Sequence, residues 1–268
     1  MEPDLAVLMD DVEATLIVRD ASAPLIPEKT DGYRFVIHRG RMAMDGPGIA
    51  TLMNRHAYPL GTANPLKDLQ VTLPTGFVKL DANFQAGPLL KLPIAMTLQP
   101  SVGANGRIAL KTIELKAQGI PIDRVMSILG IELARLVPLG GKMEVEGDTI
   151  FINPVGMFPA PITEGRLKAV QVQGDHMVME YDDASATHAP PLPSPDASAY
   201  IALVGHDLLV GKITMQDVCL QMIPQDPDAH WIEFALPFYR DQLAAGQSSL
   251  HFGDELLYRI PALDHSKN

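Results

Sequence analysis

An α+β fold, rich in antiparallel strands and poor in helices, is predicted by three features of the sequence. Apolar side chains recur at every second position in most segments, the period of a strand with one buried face. One segment, 121–136, repeats them at helical spacing and is apolar around most of its circumference. The 21 glycines and 23 prolines are spread along the chain, as turns between many short strands require. The expected arrangement is an antiparallel sheet enclosing that long apolar helix, followed by a C-terminal strand–helix–strand module.

The elements follow in order. Val12, Ala14, Leu16 and Val18 share one face of a first strand. Residues 35–44 form a second, with Val36, Met42 and Met44 on one side. A short helix over 48–56 carries Ile49, Leu52 and Met53 on one side. Val78, Leu80, Ala82 and Phe84 make another strand face, and Leu90, Leu92, Ile94, Met96 and Leu98 alternate most strictly. Pro93 inside that strand suggests an edge or a bulge. Further strands are expected over 108–116, 143–152, 167–172, 177–181, 200–204, 208–223 and 250–260. In the helix over 121–136, Pro121 suits the first turn and Asp123 its dipole. Val125, Leu129, Leu133 and Leu136 form its stripe, widened by Met126, Ile128 and Ile131, so it should be enclosed rather than laid on a surface. A last helix is expected within 232–245, its start delayed by Pro237.

The stretch DASATHAPPLPSPD, residues 183–196, has no periodicity and reads as a Pro-rich linker or a long surface loop. It divides a first domain, 1–182, from a β-rich module, 197–268. The run 66–71 (LKDLQV) resembles 167–172 (LKAVQV), each preceding a second strand. A duplicated supersecondary block and chance similarity between amphipathic strands both account for this.

Composition narrows the function classes. Of the 268 residues, 47% are hydrophobic, enough for a sizeable core. A net charge of −11 argues against a nucleic-acid groove, which needs clustered Lys and Arg, and against more than transient contact with anionic membranes. Cys219 is the single cysteine, so no intrachain disulfide forms. The first residues have no positive start and no apolar run, and no segment reaches the length of a membrane span. A cytoplasmic location is the simplest expectation, with a processed exported chain as the alternative.

Recognisable catalytic or metal chemistry is not expected. There is no G-x-S-x-G, H-E-x-x-H or C-x-x-C. GHDLLVGK, residues 205–212, has the wrong spacing for a phosphate loop, and Ile213 stands where a hydroxyl is needed. Residues 103–106 (GANG) read as a turn between strands. Asp226, Asp228 and His230 could touch one ion or simply form a polar turn. Asp175–His176 and His206–Asp207 read as turn residues, and Cys219 as a buried inert thiol. No cofactor is implied. The unusual feature is 13 methionines, which fill ordinary cores and also line sites for flexible ligands.

From 94 to 181 the chain resembles bacterial lipid-binding proteins of the DUF2993 or LmeA type, within the TULIP-like group of tubular lipid-binding proteins. The likeness rests on NGRIAL (105–110), the entry GIPI (119–122) into the leucine-rich helix, KMEVEGDTI (142–150) and GRLKAVQV (165–172). It implies a strongly curved antiparallel sheet wrapped around the helix, a space for acyl chains, and no catalytic residues. Two departures stand out: exported members carry a signal or lipoprotein anchor, and residues after 197 have no counterpart.

These readings converge on non-catalytic binding, or transfer, of a lipid or other hydrophobic molecule. The alternative is a structural or interaction module whose sheet encloses only its own side chains; protein partners stay unspecified. The expected apolar lining is Leu92, Ile94, Met96 and Leu110 on strands, and Val125, Met126, Leu129 and Leu133 on the helix.

Overall fold

A computed structural model describes residues 6–56, 66–85, 91–117, 120–121, 143–155, 158, 160–182, 192–210, 212–250 and 255–263. The described residues are mostly antiparallel β-sheet with two short α-helices, α1 (Gly46–His56) and α2 (Tyr239–Ala245). The chain divides into two compact units. One consists of Glu2–Leu16 with Phe35–Ala186, the other of Ile17–Arg34 with Thr187–Asn268. Residues 17–34, expected in the first domain, therefore group with the C-terminal residues.

The larger unit holds two sheets. The first joins β1 (Leu8–Val18), β2 (Tyr33–Asp45), β12 (His176–Asp182) and β11 (Leu167–Gln173) in that order, with β10 (Ile162–Gly165) also paired to β2. The second has the order β3 (Leu66–Thr72), β4 (Val78–Gln85), β5 (Lys91–Val102), β6 (Ile108–Ala117), β9 (Thr149–Ile152) and β8 (Met143–Glu146). Period-two patterning sets these strands: β4 buries Val78, Leu80, Ala82 and Phe84, and β5 buries the partners opposite them, Leu98, Met96, Ile94 and Leu92. β11 packs on β5, and inward residues of both sheets form one hydrophobic cluster with Ile49 and Leu52 of α1.

Two glycines make this packing feasible. Gly40 has φ +119°, and a Cβ there would lie 2.6 Å from Asp11 O and Val12 Cα. The buried apolar positions of β2 change parity across this stretch: Ile37 is buried before it, Met42 and Met44 after it, while pairing with β12 runs unbroken from Arg39 to Asp45. Val36, expected beside Met42 and Met44, is consequently only half-buried, because the periodicity was counted through the irregularity. At Gly46 a Cβ would overlap Val71 O, so only glycine lets the start of α1 approach β3 this closely. Asp45 caps the helix by accepting the Gly48 N–H at 2.8 Å.

The matching runs LKDLQV and LKAVQV each form the first strand of an antiparallel hairpin, β3–β4 and β11–β12. Each buries its first, fourth and sixth residues and carries a register shift within its first few residues. Pro93 lies one residue before β5 begins to pair with β6, where a missing N–H breaks no bond on that side. Pro121, expected to open the long helix, instead pairs with Lys116 in the two-residue strand β7 (Ile120–Pro121). The rest of that helix, 122–136, lies outside the described residues.

The second unit has a four-stranded sheet ordered β13 (Ile201–Val204), β16 (Cys219–Pro224), β18 (Glu255–Ile260) and β17 (Gln247–Leu250). Its β16–β18 pair is parallel. The single strand expected over 208–223 is broken. Leu208–Val210 (β14) and Ile213–Met215 (β15) form a hairpin, and Asp217, with φ 45°, leads into β16. Leu236–Phe238 is a short 3-10 turn before α2, with Pro237 in its first turn, as the expected delayed start required. Residues 17–34 join this unit through a parallel bridge from Leu25 to Leu208. The Leu25 N–H donates to Asp207 O at 2.7 Å, and the Leu209 N–H donates to Leu25 O at 2.8 Å. Arg240 pairs with Glu28 in the same unit.

Candidate functional site

A partly open cavity of about 40 Å3 lies in the larger unit, and its lining among the described residues is apolar throughout. Ile49, Leu52 and Met53 of α1 form one wall, held there by the Asp45 cap and the glycine contact with β3. Met44 and Met177 come from the first sheet, where they are cross-strand partners in β2 and β12. The second sheet supplies Val78 and Leu80 from β4, Ile108 and Leu110 from β6, Met143 from β8 and Ile152 from β9. Four of these eleven side chains are methionines, and none can hydrogen-bond strongly. The volume exceeds the roughly 10–15 Å3 that one water needs, but the described lining offers a water no polar partner.

Of the expected lining, Leu110 faces this cavity. Leu92, Ile94 and Met96 are buried in the same cluster on β5, where they pair with β4 and do not line the cavity. Val125, Met126, Leu129 and Leu133 lie outside the described residues. The α1 stripe of Ile49, Leu52 and Met53 was visible in the sequence as a helix face, but nothing in it distinguished a cavity wall from ordinary core. The Met44–Met177 pair depends on a strand pairing between residues far apart in the chain, which period two cannot reveal.

The weaker polar candidates resolve into local structure. Asp226 Oδ1 accepts the Asp228 N–H at 3.0 Å, an Asx turn. Among the described residues no group of three or more His, Cys, Asp or Glu side chains could hold a metal ion. His206 Nε2 lies 2.8 Å from Ala23 O, and Asp207 Oδ1 accepts the Asp217 N–H at 3.1 Å. Asp175 and His176 pair with each other at 2.6 Å at the β11–β12 turn. The Cys219 thiol is pushed up by burial and then by the nearby Glu255 carboxylate, the opposite of an activated nucleophile. Residues 205–212 run into the β14–β15 hairpin, with no helix to receive a phosphate. In the GANG turn, Asn105 and Gly106 both have positive φ. Arg107 follows them, stacks 4.5 Å from the Phe151 ring centroid and donates to Glu144 at 2.6 Å, fastening the turn to β8–β9.

No family model, curated protein or solved structure matches the chain. Among the described residues, no helix is long and apolar enough to cross a membrane.

Proposed function

We propose that the chain binds a lipid or another hydrophobic molecule, without acting on it chemically, in the apolar space between helix and sheet. The observation that carries this reading is the apolar cavity lined in part by Met44, Met53, Met143 and Met177. Unbranched thioether side chains change rotamer at low cost and reshape around a flexible chain. An acyl chain needs no polar partner, since each buried methylene contributes about 0.8 kcal/mol. The finer expectation belongs to the same proposal: a strongly curved, TULIP-like sheet around a long helix at 121–136, in a cytoplasmic protein that contacts membranes at most transiently. The resemblance over 94–181 supports it.

A second reading is favoured by the size of the void. Ligand sites typically occupy about 300–1,000 Å3, and a 40 Å3 cavity suits an interaction module with a nearly solid core. Organic extraction of protein purified without detergent, followed by mass spectrometry, separates the two. The binding reading expects a co-purifying lipid, and expects Met177→Trp to abolish it while the circular dichroism spectrum is kept. Wild-type protein free of lipid, which also fails to take up a fluorescent fatty acid, would leave the interaction module standing.

A further inference from the structure

The C-terminal unit contains a second concavity, unrelated to the apolar cavity and to the lipid reading. Residues 224–226, 228–233 and 260–262 line a half-open surface concavity of about 350 Å3. Ile232, Ile260 and Pro261 give it apolar walls. Trp231, the only tryptophan of the chain, lines it while remaining 72% exposed. Asp226, Asp228 and Glu233 also line it, and among the described residues no lysine or arginine does. Backbone bonds fix two of these carboxylates to the walls: Asp226 Oδ1 accepts the Asp228 N–H at 3.0 Å, and Glu233 Oε2 accepts the Leu263 N–H at 3.3 Å.

An indole face attracts cations through its ring quadrupole, and neighbouring carboxylates add to that attraction. An anion would be repelled by the carboxylates, and a neutral apolar molecule would gain from the apolar walls but not from the carboxylates beside them. The volume lies near the lower end of the roughly 300–1,000 Å3 usual for small-molecule sites. A net charge of −11 draws cations toward the chain as a whole. We propose that this concavity is a binding site for a small organic ammonium ion with an apolar body, seated against Trp231 and drawn by the carboxylates of Asp226 and Asp228.

The single tryptophan makes the test direct. Choline is titrated into the full chain at low salt while Trp231 fluorescence is followed, beside its uncharged analogue of the same shape, 3,3-dimethylbutan-1-ol. A saturable change is expected for choline, with the analogue about fivefold weaker or more. Asp228→Asn should weaken choline binding about two- to fivefold. Trp231→Leu, followed through the choline N-methyl resonances, should lose binding by about fivefold. Circular dichroism establishes that both variants are folded. The proposal is overturned by a fluorescence signal that does not saturate, by equal affinity for the uncharged analogue, or by full binding in folded Trp231→Leu.

Discussion

The two units solve the same packing problem by different means. The larger one gathers all the residues of the main hydrophobic cluster, drawn from both of its sheets and α1. The smaller one buries fewer apolar side chains, among them Leu25, Tyr33, Leu208, Leu220, Leu257 and Ile260, and leaves Tyr200, Ile213, Trp231 and Leu250 exposed. In place of a large core it has two buried glutamines that each grip backbone. Gln221, 0% exposed, donates through Nε2 to Ser194 O at 2.9 Å and accepts the Ser194 N–H at 2.7 Å. Gln242 donates to Glu233 O at 2.8 Å and accepts the Ala235 N–H at 3.0 Å. A small assembly with limited apolar area gains definition from fully satisfied polar clamps, which fix loops that packing alone would leave loose.

This contrast is sharpest for a deletion in the larger core. Leu98 is completely buried, so Leu98→Ala should cost about 2–5 kcal/mol. Urea denaturation followed by circular dichroism of the sheet measures it; a loss below about 1 kcal/mol would mean that the core is far looser than its burial implies. In the smaller unit the comparable weak point is polar. Gln221→Leu keeps the volume but strands the Ser194 N–H and leaves Ser194 O only the longer bond from the Ala197 N–H at 3.3 Å, an expected cost of about 1–3 kcal/mol. Trp231 fluorescence reports this unit. An unchanged midpoint there would show that the clamp contributes nothing.

The smallest effect is alkaline. Burial pushes the Tyr181 hydroxyl of the larger unit up to about 12, from an ordinary value of 10.0. Because the folded state holds the proton more tightly, this contribution is complete below about pH 10 and is lost as pH rises toward about 12. At pH 11 the loss is about 1.4 kcal/mol. Tyr181→Phe should flatten the fall in stability between pH 10 and 12. Tyr33 of the smaller unit is likewise raised to about 12, by burial and then by the neighbouring Tyr239 and Glu28. It should keep its own alkaline transition in that variant, and a transition that vanished entirely would break the assignment of one tyrosine to each unit.

Strands with an uninterrupted period were legible. The faces of β4 and β5 follow directly from which residues alternate, because local steric rules decide them. Legibility failed where a single residue altered the count. The buried apolar positions of β2 change parity between Ile37 and Met42, where Gly40 has positive φ, and Asp217 separates the β14–β15 hairpin from β16. It failed again where the partner is remote: nothing near Leu25 signals that Leu208 lies beside it. The cavity was legible only by ingredient. Methionine enrichment pointed to adaptable apolar surface, and Leu110 was placed on it. The meeting of Met44 with Met177, and of both with α1, is a product of sheet pairing.

The excursion of residues 17–34 has a consequence for the order of synthesis. These residues leave the ribosome early, yet the strands they join, from Leu208 onward, emerge last. Until then Leu25 has no β-bridge and Glu28 no arginine partner, so a nascent chain carries an unsatisfied clasp through most of its translation. A fragment cut at the Pro-rich segment inherits the same defect on both sides. The amino-terminal piece retains the clasp without its socket, and the carboxy-terminal piece retains the socket without its clasp.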